Sequence, residues 1–383
     1  MSEASSNTSP KVALVLPPYR RWYETALLSS KSGADFTLIC RTKSEFYGDP
    51  ECRFRFLQPF EIPTFPSWLP PRSSARPVFY RGLTQEQLEE FDAFVVVELF
   101  PVLAWQFSKI AYSTKKPLIV LTWETLSTHP FYQFLFPYCK IWKRVAKKAT
   151  KIIAMTERSR AHLLRLGLSS SKLDTVYPGI DLKLFPRTVR TKDRSVITVL
   201  FVGLLEKHKG FDMALSAFMR ARNQLGLNIR FLIAGDGSLT SALSVIHDKS
   251  ITYLGKLSRP RLVSIYRQAD IFVSPALDTI RLGHVTQEEQ FGFSLVEALA
   301  SGLPIVATRC GAIPEIVGEQ NIIIPQRSER DLVDAIEKLA KDPELRLSIG
   351  DRNRARAERF FDVEKQSETF SNMIRTELET PSS

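Results

Sequence analysis

Short uninterrupted apolar runs recur along this chain, separated by longer stretches with helical periodicity. KVALVLP (11–17), DFTLIC (35–40), AFVVVEL (93–99), PLIVLTW (117–123) and KIIAMT (151–156) form a first series. Such β-branched and Leu-rich runs are the mark of strands buried on both faces, as in a parallel sheet with helices above and below. A second series comprises VITVLFVG (196–203), NIRFLIAGDG (228–237), ITYLG (251–255), DIFVSPA (270–276), LPIVAT (303–308) and NIIIP (321–325). Helices are predicted at about 210–225, 258–268, 293–301, 328–341 and 343–360, from apolar residues spaced by three and four. Between the two series, VYPGIDLKLF (176–185) carries turn chemistry at Pro178 and Gly179. The pattern breaks at 59–83, PFEIPTFPSWLPPRSSARPVFYRGL, where prolines and aromatics predict a long irregular loop.

The expected organisation is α/β: two doubly wound, Rossmann-like halves, 1–180 and 181–360, with the final segment, about 361–383, crossing back onto the first half. In doubly wound sheets ligands sit outside the carboxyl ends of the strands, so two sheets face to face would place a site in the cleft between them.

Composition changes this picture only in its charge. The 383 residues carry 44% hydrophobic and 24% charged side chains, ordinary for a globular protein. No apolar run approaches the roughly 18–20 residues that span a bilayer, and MSEASSNTSP has no signal-peptide core. Four scattered cysteines, Cys40, Cys52, Cys139 and Cys310, suggest neither a metal site nor a disulfide framework, and the reading is a reducing cytosol. The formal net charge of +11 is uneven: residues 1–180 hold 24 Lys and Arg against 15 acids, residues 181–383 hold 28 against 26. A basic half beside a near-neutral one predicts different partners for the two.

The chemistry concentrates in the second half. FVGLLEKHKGFDMAL (201–215) reads as strand, glycine turn and a helix opening at Gly210. Backbone N–H groups at Gly203 and at the helix start could hold an anion, with Lys209 adding charge. A plain βα turn with a solvated lysine accounts for it equally well. EEQFGFSLVEALASGLPIVAT (288–308) is more specific, because Glu289 and Glu297 stand seven residues apart around a glycine and a helix start. Gly292 removes a side chain where a diphosphate could approach backbone. The N–H groups of Phe293, Ser294 and Leu295 begin the helix and can meet phosphate oxygens. Glu297, a turn further in, can accept two ribose hydroxyls, and Glu289 would face a sugar. The helix dipole favours an acid at such a position anyway, which explains one glutamate but not the two with the glycine.

EEQFGFSLVEALASGLPIVATRCGAIPEIV closely resembles the E-x7-E donor-site motif of retaining glycosyltransferase family 4, of GT-B fold. VYPGIDLKLF, FVGLLEKHKGF, IAGDGSL and ITYLGKLSRPRLVSIYRQADIFVSPA resemble its other landmarks, in order. The resemblance is strong over about 150–340 and general before that. It implies that Glu297 binds the ribose of a nucleotide-diphosphate sugar. Glu289 and the backbone of Phe291, Gly292, Phe293, Ser294 and Leu295 would hold sugar and diphosphate, and Lys209 would neutralise the diphosphate. Lys256 and Leu257 would lie against the base, and Gly235 and Asp236 would form a turn lining the cleft. The sequence departs from the family in two places. Leu204 stands where an arginine often follows the first phosphate-turn glycine. In LTWETLSTHP, Glu124 and His129 stand near the position of the usual N-terminal-half histidine, leaving either as the acceptor-side catalytic candidate beside Glu289. No Asp-x-Asp stands in a metal-binding context, as expected of enzymes in which helix dipoles and Lys or Arg replace a divalent cation at the leaving diphosphate. Neither metal nor cofactor is therefore expected, the nucleotide sugar being a substrate.

YCKIWKRVAKKATK (138–151) has helical spacing, with Trp142, Val145, Ala146 and Ala149 on one face and Lys140, Arg144, Lys147 and Lys151 on another. One reading is contact with an anionic membrane surface or a phosphate-bearing lipid acceptor, making the protein cytoplasmic and peripheral at the inner face. The other is a core-packed helix with a solvated basic face. No nucleic-acid motif accompanies the stripe. The expected function is retaining sugar transfer in glycan, glycolipid or cell-surface polysaccharide assembly. The alternatives are a non-catalytic nucleotide-sugar-binding protein and a nucleotide-sugar epimerase of the same architecture.

Overall fold

The computed structural model describes residues 9–17, 27–28, 33–41, 53–61, 78–126, 136, 138–187, 195–243 and 246–379. The chain divides into two compact units, one of residues 1–179 with 363–383 and the other of residues 180–362.

Unit 1 runs through β1 (Lys11–Val15), β2 (Asp35–Cys40), β3 (Arg53–Phe56), β4 (Pro59–Glu61), β5 (Val78–Tyr80), α1 (Gln85–Glu89), β6 (Ala93–Val97), α2 (Val102–Thr114), β7 (Leu118–Thr122), α3 (Tyr138–Lys148), β8 (Lys151–Ala154), α4 (Glu157–Arg165) and β9 (Leu173–Thr175). Seven strands form one sheet in the order β3-β2-β1-β6-β7-β8-β9. Every pairing in it is parallel. The β6 and β7 runs are buried at every position, which is why they read as unbroken apolar stretches. Strand order reverses between β1 and β6, with Val12 opposite Phe36 on one side and Ala93 on the other. Phe91, Phe94, Phe107, Tyr138 and Leu163 lie in the core that the helices cover.

Unit 2 contains β10 (Ile197–Val202), α5 (Phe211–Leu225), β11 (Ile229–Ala234), β12 (Ile251–Tyr253), α6 (Arg259–Gln268), β13 (Ile271–Ser274), β14 (Thr279–Arg281), β15 (His284–Gln287), α7 (Phe293–Ala300), β16 (Ile305–Thr308), α8 (Ile313–Val317), β17 (Ile322–Ile324), α9 (Glu329–Lys341) and α10 (Pro343–Phe360). Its six-stranded sheet has the order β12-β11-β10-β13-β16-β17, reversing between β10 and β13. All of its pairings are parallel. Phe218 stacks on Phe231 at 5.0 Å in its core. The turn before β17 is joined to the middle of α10 by Asn321 and Asn353, whose amides exchange two 2.8 Å hydrogen bonds out of water.

The last helix, α11 (Val363–Glu379), belongs to unit 1. Phe370 stacks on Phe36 of β2 at 5.8 Å, and Arg375 donates to the Gly33 carbonyl at 2.6 Å.

Two expectations change. Residues 59–83 are not irregular throughout: β4 and β5 pair antiparallel, Phe60 opposite Phe79, while residues 62–77 lie outside the described residues. β3 and β9 escape a search for apolar runs because they close the two edges of the sheet, where RFRF and LDT keep polar residues. If α11 completes the core of unit 1, Phe370→Ala should cost about 3–5 kcal/mol there. Hydrogen exchange checks this: β2 amides should lose protection in the variant, while those of β10 and β11 keep theirs.

Candidate functional site

The carboxyl ends of β10, β11 and β12 are bound together before any ligand is considered. Gly203 follows β10, and its N–H donates to the Ala234 carbonyl at 3.1 Å. That N–H is spent in the ladder, which corrects the expectation that it binds an anion. The turn after β11 is pressed onto this one, because a Cβ on Gly235 (φ +140°) would stand 1.8 Å from the Gly203 carbonyl oxygen. Leu205 N–H donates to the Asp236 carbonyl at 3.0 Å. The Asp236 carboxylate accepts from Gly237 N–H at 2.8 Å and from Thr240 Oγ1 at 3.0 Å. Gly235 and Asp236 are therefore accounted for by this packing. Glu206 adds a clamp, accepting from Ser238 N–H at 2.9 Å and its hydroxyl at 2.6 Å. The loop with exposed Lys256 and half-buried Leu257 is tied in where Gly255 carbonyl accepts Gly235 N–H at 2.9 Å.

Lys209 sits in a single 3-10 turn before α5, and its Nζ is 2.5 Å from Glu289 Oε2. The cation expected at a diphosphate and the acid expected at a sugar thus hold one another. Glu289 is fixed through its backbone as well: its carbonyl accepts Ala312 N–H at 2.8 Å. Phe291 is buried between Phe293, 4.9 Å away, and Phe361, 5.9 Å away.

Gly292 caps α7 at φ +83°, a left-handed conformation that glycine adopts without a Cβ penalty. A Cβ there would also meet Leu295 Cδ1 at 2.7 Å, so local packing joins ligand approach as a reason for the glycine. Leu295 N–H turns back onto the Gly292 carbonyl at 2.9 Å and is not open to phosphate, correcting that part of the expectation. The helix dipole of α7 directs its positive end at this turn, which favours an anion near the first-turn backbone.

Glu297 is buried on α7, and the Tyr266 hydroxyl of α6 lies 2.9 Å from its Oε2. The same hydroxyl is 3.1 Å from the Ser294 carbonyl, and with one proton to give it favours the charged acceptor. Tyr266 is fully buried against Phe185 and Phe272, and nothing in its sequence neighbourhood distinguishes it from a core aromatic. Burial also pushes the Cys310 thiol up, so it stays protonated and lies 3.1 Å from Asp278 Oδ1. Residues 277–287 contain the antiparallel pair β14–β15 with Leu282 exposed at its tip. Leu204, in place of the expected arginine, is 38% exposed.

In unit 1, Glu124 follows β7. Its Oε1 accepts Leu126 N–H at 2.9 Å, and its own N–H donates to Thr122 Oγ1 at 3.2 Å. His129 lies outside the described residues. On α3 the exposed cations are Lys140, Lys143, Arg144, Lys147 and Lys148. Lys151 is not among them: it begins β8 and pairs with Asp174 at 2.7 Å. Tyr112 of α2 and Phe136 are exposed, with Lys148 4.2 Å from the first ring and Lys140 5.9 Å from the second. Among the described residues no helix is long and apolar enough to cross a membrane.

The family described as Glycosyltransferase Family 4 matches residues 20–184, and that described as Glycosyl transferases group 1 matches residues 186–356. The chain belongs to the family 4 glycosyltransferases. A D-inositol 3-phosphate glycosyltransferase of Pseudarthrobacter chlorophenolicus is 28% identical over 226 residues, 54% of this chain and 51% of that protein. The chain thus spans about half the length of that curated relative. The crystal structure of Anabaena HepE with UDP matches 96% of this chain and 100% of its own with a TM-score of 0.72 at 16% identity. WaaG, a glycosyltransferase involved in lipopolysaccharide biosynthesis, matches 95% and 99% with a TM-score of 0.63 at 14% identity. These glycosyltransferases share the GT-B fold of two Rossmann-like α/β domains.

The contact between the two glycine turns makes a prediction independent of any ligand. Gly235→Ala must push the β11 turn off the Gly203 carbonyl, a cost of about 1–3 kcal/mol or more. Urea unfolding of unit 2, followed by exchange of its core amides, should shift to lower denaturant. An unchanged midpoint would mean that the turn can move aside freely.

Proposed function

We propose that this family 4 glycosyltransferase moves a sugar, with retention at the anomeric carbon, from a nucleotide-diphosphate sugar to an acceptor hydroxyl. The observation that carries this reading is the convergence, at one end of the unit 2 sheet, of Lys209, Glu289, the Gly292-capped start of α7 and the buried carboxylate of Glu297. In this mechanism Glu297 accepts the ribose hydroxyls, held by Tyr266. The first turn of α7 and Lys209 meet the diphosphate, so the leaving group is stabilised without a metal. An incoming diphosphate competes with Glu289 for Lys209, which frees Glu289 toward the sugar. Leaving oxygen and entering hydroxyl share one face, and the departing phosphate takes the acceptor's proton. Lys256 and Leu257 lie against the base. HepE's complex with UDP supports a nucleotide of this class.

The acceptor side is assigned to unit 1, with Glu124 or His129 as its catalytic group. The exposed cations of α3, with Tyr112 and Phe136 beside them, favour an acceptor bearing phosphate, presented at an anionic membrane surface. The names of the relatives, a glycosyltransferase of D-inositol 3-phosphate and one of lipopolysaccharide biosynthesis, support anionic or lipid-linked acceptors in glycolipid or cell-surface polysaccharide assembly. On this reading the protein works in the cytoplasm, peripheral to the membrane. A second reading, a donor-binding protein without turnover, draws on exposed Leu204 where a phosphate-binding arginine is expected.

A thermal-shift screen of UDP-, GDP- and ADP-sugars identifies the donor: a ligand at 100 times its Kd should stabilise the chain by about 2.7 kcal/mol. With that donor, two variants separate the acids. Glu297→Gln should weaken the sugar donor and the free nucleoside diphosphate alike, by about 1.5–3 kcal/mol in calorimetry. Glu289→Gln should bind the nucleoside diphosphate nearly as the parent does but turn over more slowly. Parent-like affinity in the first removes Glu297 from the ribose, and parent-like turnover in the second removes Glu289 from the reaction. If the parent binds donor without releasing nucleoside diphosphate in a cell extract, the non-catalytic reading stands.

The membrane reading has its own test. Sedimentation with vesicles containing anionic lipid should retain the protein at low salt and less of it at 0.15 M, where exposed charges are screened over about 8 Å. Replacing Lys140, Lys143, Arg144 and Lys147 by Gln should weaken binding by about 1 kcal/mol per cation near the surface. Equal retention on neutral vesicles would leave α3 as a solvated helix face.

A further inference from the structure

Glu98 breaks two rules at once. It ends the apolar run of β6 with a carboxylate that is only 2% exposed, and it does so at φ +65°, a left-handed conformation that L side chains other than Asn and Asp rarely adopt. A buried charge and a strained backbone both cost stability, and such costs persist where the surroundings over-determine the residue, often at working sites. The position is also distinctive, because β6 is one of the two strands flanking the reversal in strand order, and Glu98 stands at its carboxyl end.

The carboxylate is committed to the neighbouring turn. Oε2 accepts from the Thr122 hydroxyl at 2.6 Å, and Oε1 accepts from Trp123 N–H at 3.2 Å. The Glu98 N–H itself donates to the Leu121 carbonyl at 2.7 Å. The Thr122 hydroxyl, turned toward Glu98, is left able to accept, and it takes Glu124 N–H at 3.2 Å. A continuous chain of hydrogen bonds therefore runs from the backbone of Glu124 through Thr122 to Glu98. In the same turn Thr125 is 3% exposed, and its hydroxyl has no hydrogen-bond partner among the described residues.

We infer that Glu98 is a positioning residue, which fixes the turn from Thr122 to Leu126 so that Glu124 and the Thr125 hydroxyl are presented to the acceptor. The inference rests on the reading of Glu124 as the acceptor-side group. Glu98 itself touches no reacting atom: it acts by orienting Thr122 and Trp123. A glutamine has one acceptor oxygen where the carboxylate has two, so Glu98→Gln keeps the size of the side chain and breaks one of the two contacts.

The test uses the full chain. With 5-fluorotryptophan incorporated, the 19F resonance of Trp123, assigned by Trp123→Phe, should shift or broaden in Glu98→Gln while the other four tryptophan signals stay in place. Nucleoside diphosphate release from UDP-, GDP- and ADP-glucose, water serving as acceptor, is then measured for Glu98→Gln, Glu124→Gln and the double variant. Each single variant should lower kcat tenfold or more without changing donor KM, and the double variant should be no slower than the slower single one, because both act through one group. Independent multiplication of the two losses, an unmoved Trp123 signal, or parent-like kcat in Glu98→Gln beside a slow Glu124→Gln would each overturn the inference. Parent-like kcat in Glu124→Gln would instead sink the reading of Glu124, and the positioning role would fall with it.

Discussion

The Lys209–Glu289 ion pair is the interaction around which the candidate site is arranged. It joins the turn after β10 to the turn before α7, positions 80 residues apart in the chain. Neither partner is exposed enough for water to screen the pair fully, and each is anchored through its backbone. Lys209 is held by its 3-10 turn and Glu289 by the hydrogen bond from Ala312 to its carbonyl. Breaking such a pair by removing one partner leaves a charge behind, whereas a ligand that replaces one partner with equal or greater charge does not. The pair thereby holds the turn after β10 and the turn before α7 in register with one another.

Backbone packing is what allows that pair to form. Gly311 brings the chain so close to the Glu289 carbonyl that a Cβ would stand 2.0 Å from it, and Gly235 does the same to the Gly203 carbonyl. Both contacts lie where any side chain would separate the turns that carry the site. The glycines of this region therefore serve the scaffold directly.

The alternation of strands and helices was legible because buried parallel strands leave an unmistakable trace: AFVVVEL and PLIVLTW have no polar face to conceal. Edge strands have one, so RFRF and LDT passed unnoticed. The acids in and just before α7 were legible because glutamate, glycine and helix start lie within ten residues. Their partners were not. Lys209 and Tyr266 reach Glu289 and Glu297 only through the fold, and a tyrosine on the apolar side of a helix looks like any core aromatic. Glu98 did leave a signal, a lone carboxylate at the end of an apolar strand, but its left-handed backbone and its bonds to Thr122 and Trp123 become visible only in three dimensions. The basic stripe was partly misread because helical periodicity was carried three residues too far, onto a lysine that begins β8.

The return of α11 to unit 1 bears on how the protein is made. Ribosomal synthesis delivers residues 180–362 before Val363–Glu379 has been polymerised, so unit 2 has all its strands while unit 1 still lacks the helix that carries Phe370. Phe36 and the adjoining face of β2 must wait, uncovered, for the duration of that synthesis, which at about 5–20 residues per second is on the order of ten seconds or more. The usual order of domain maturation is thus inverted. The nascent chain carries an apolar face that a chaperone can recognise until the final helix emerges and closes it.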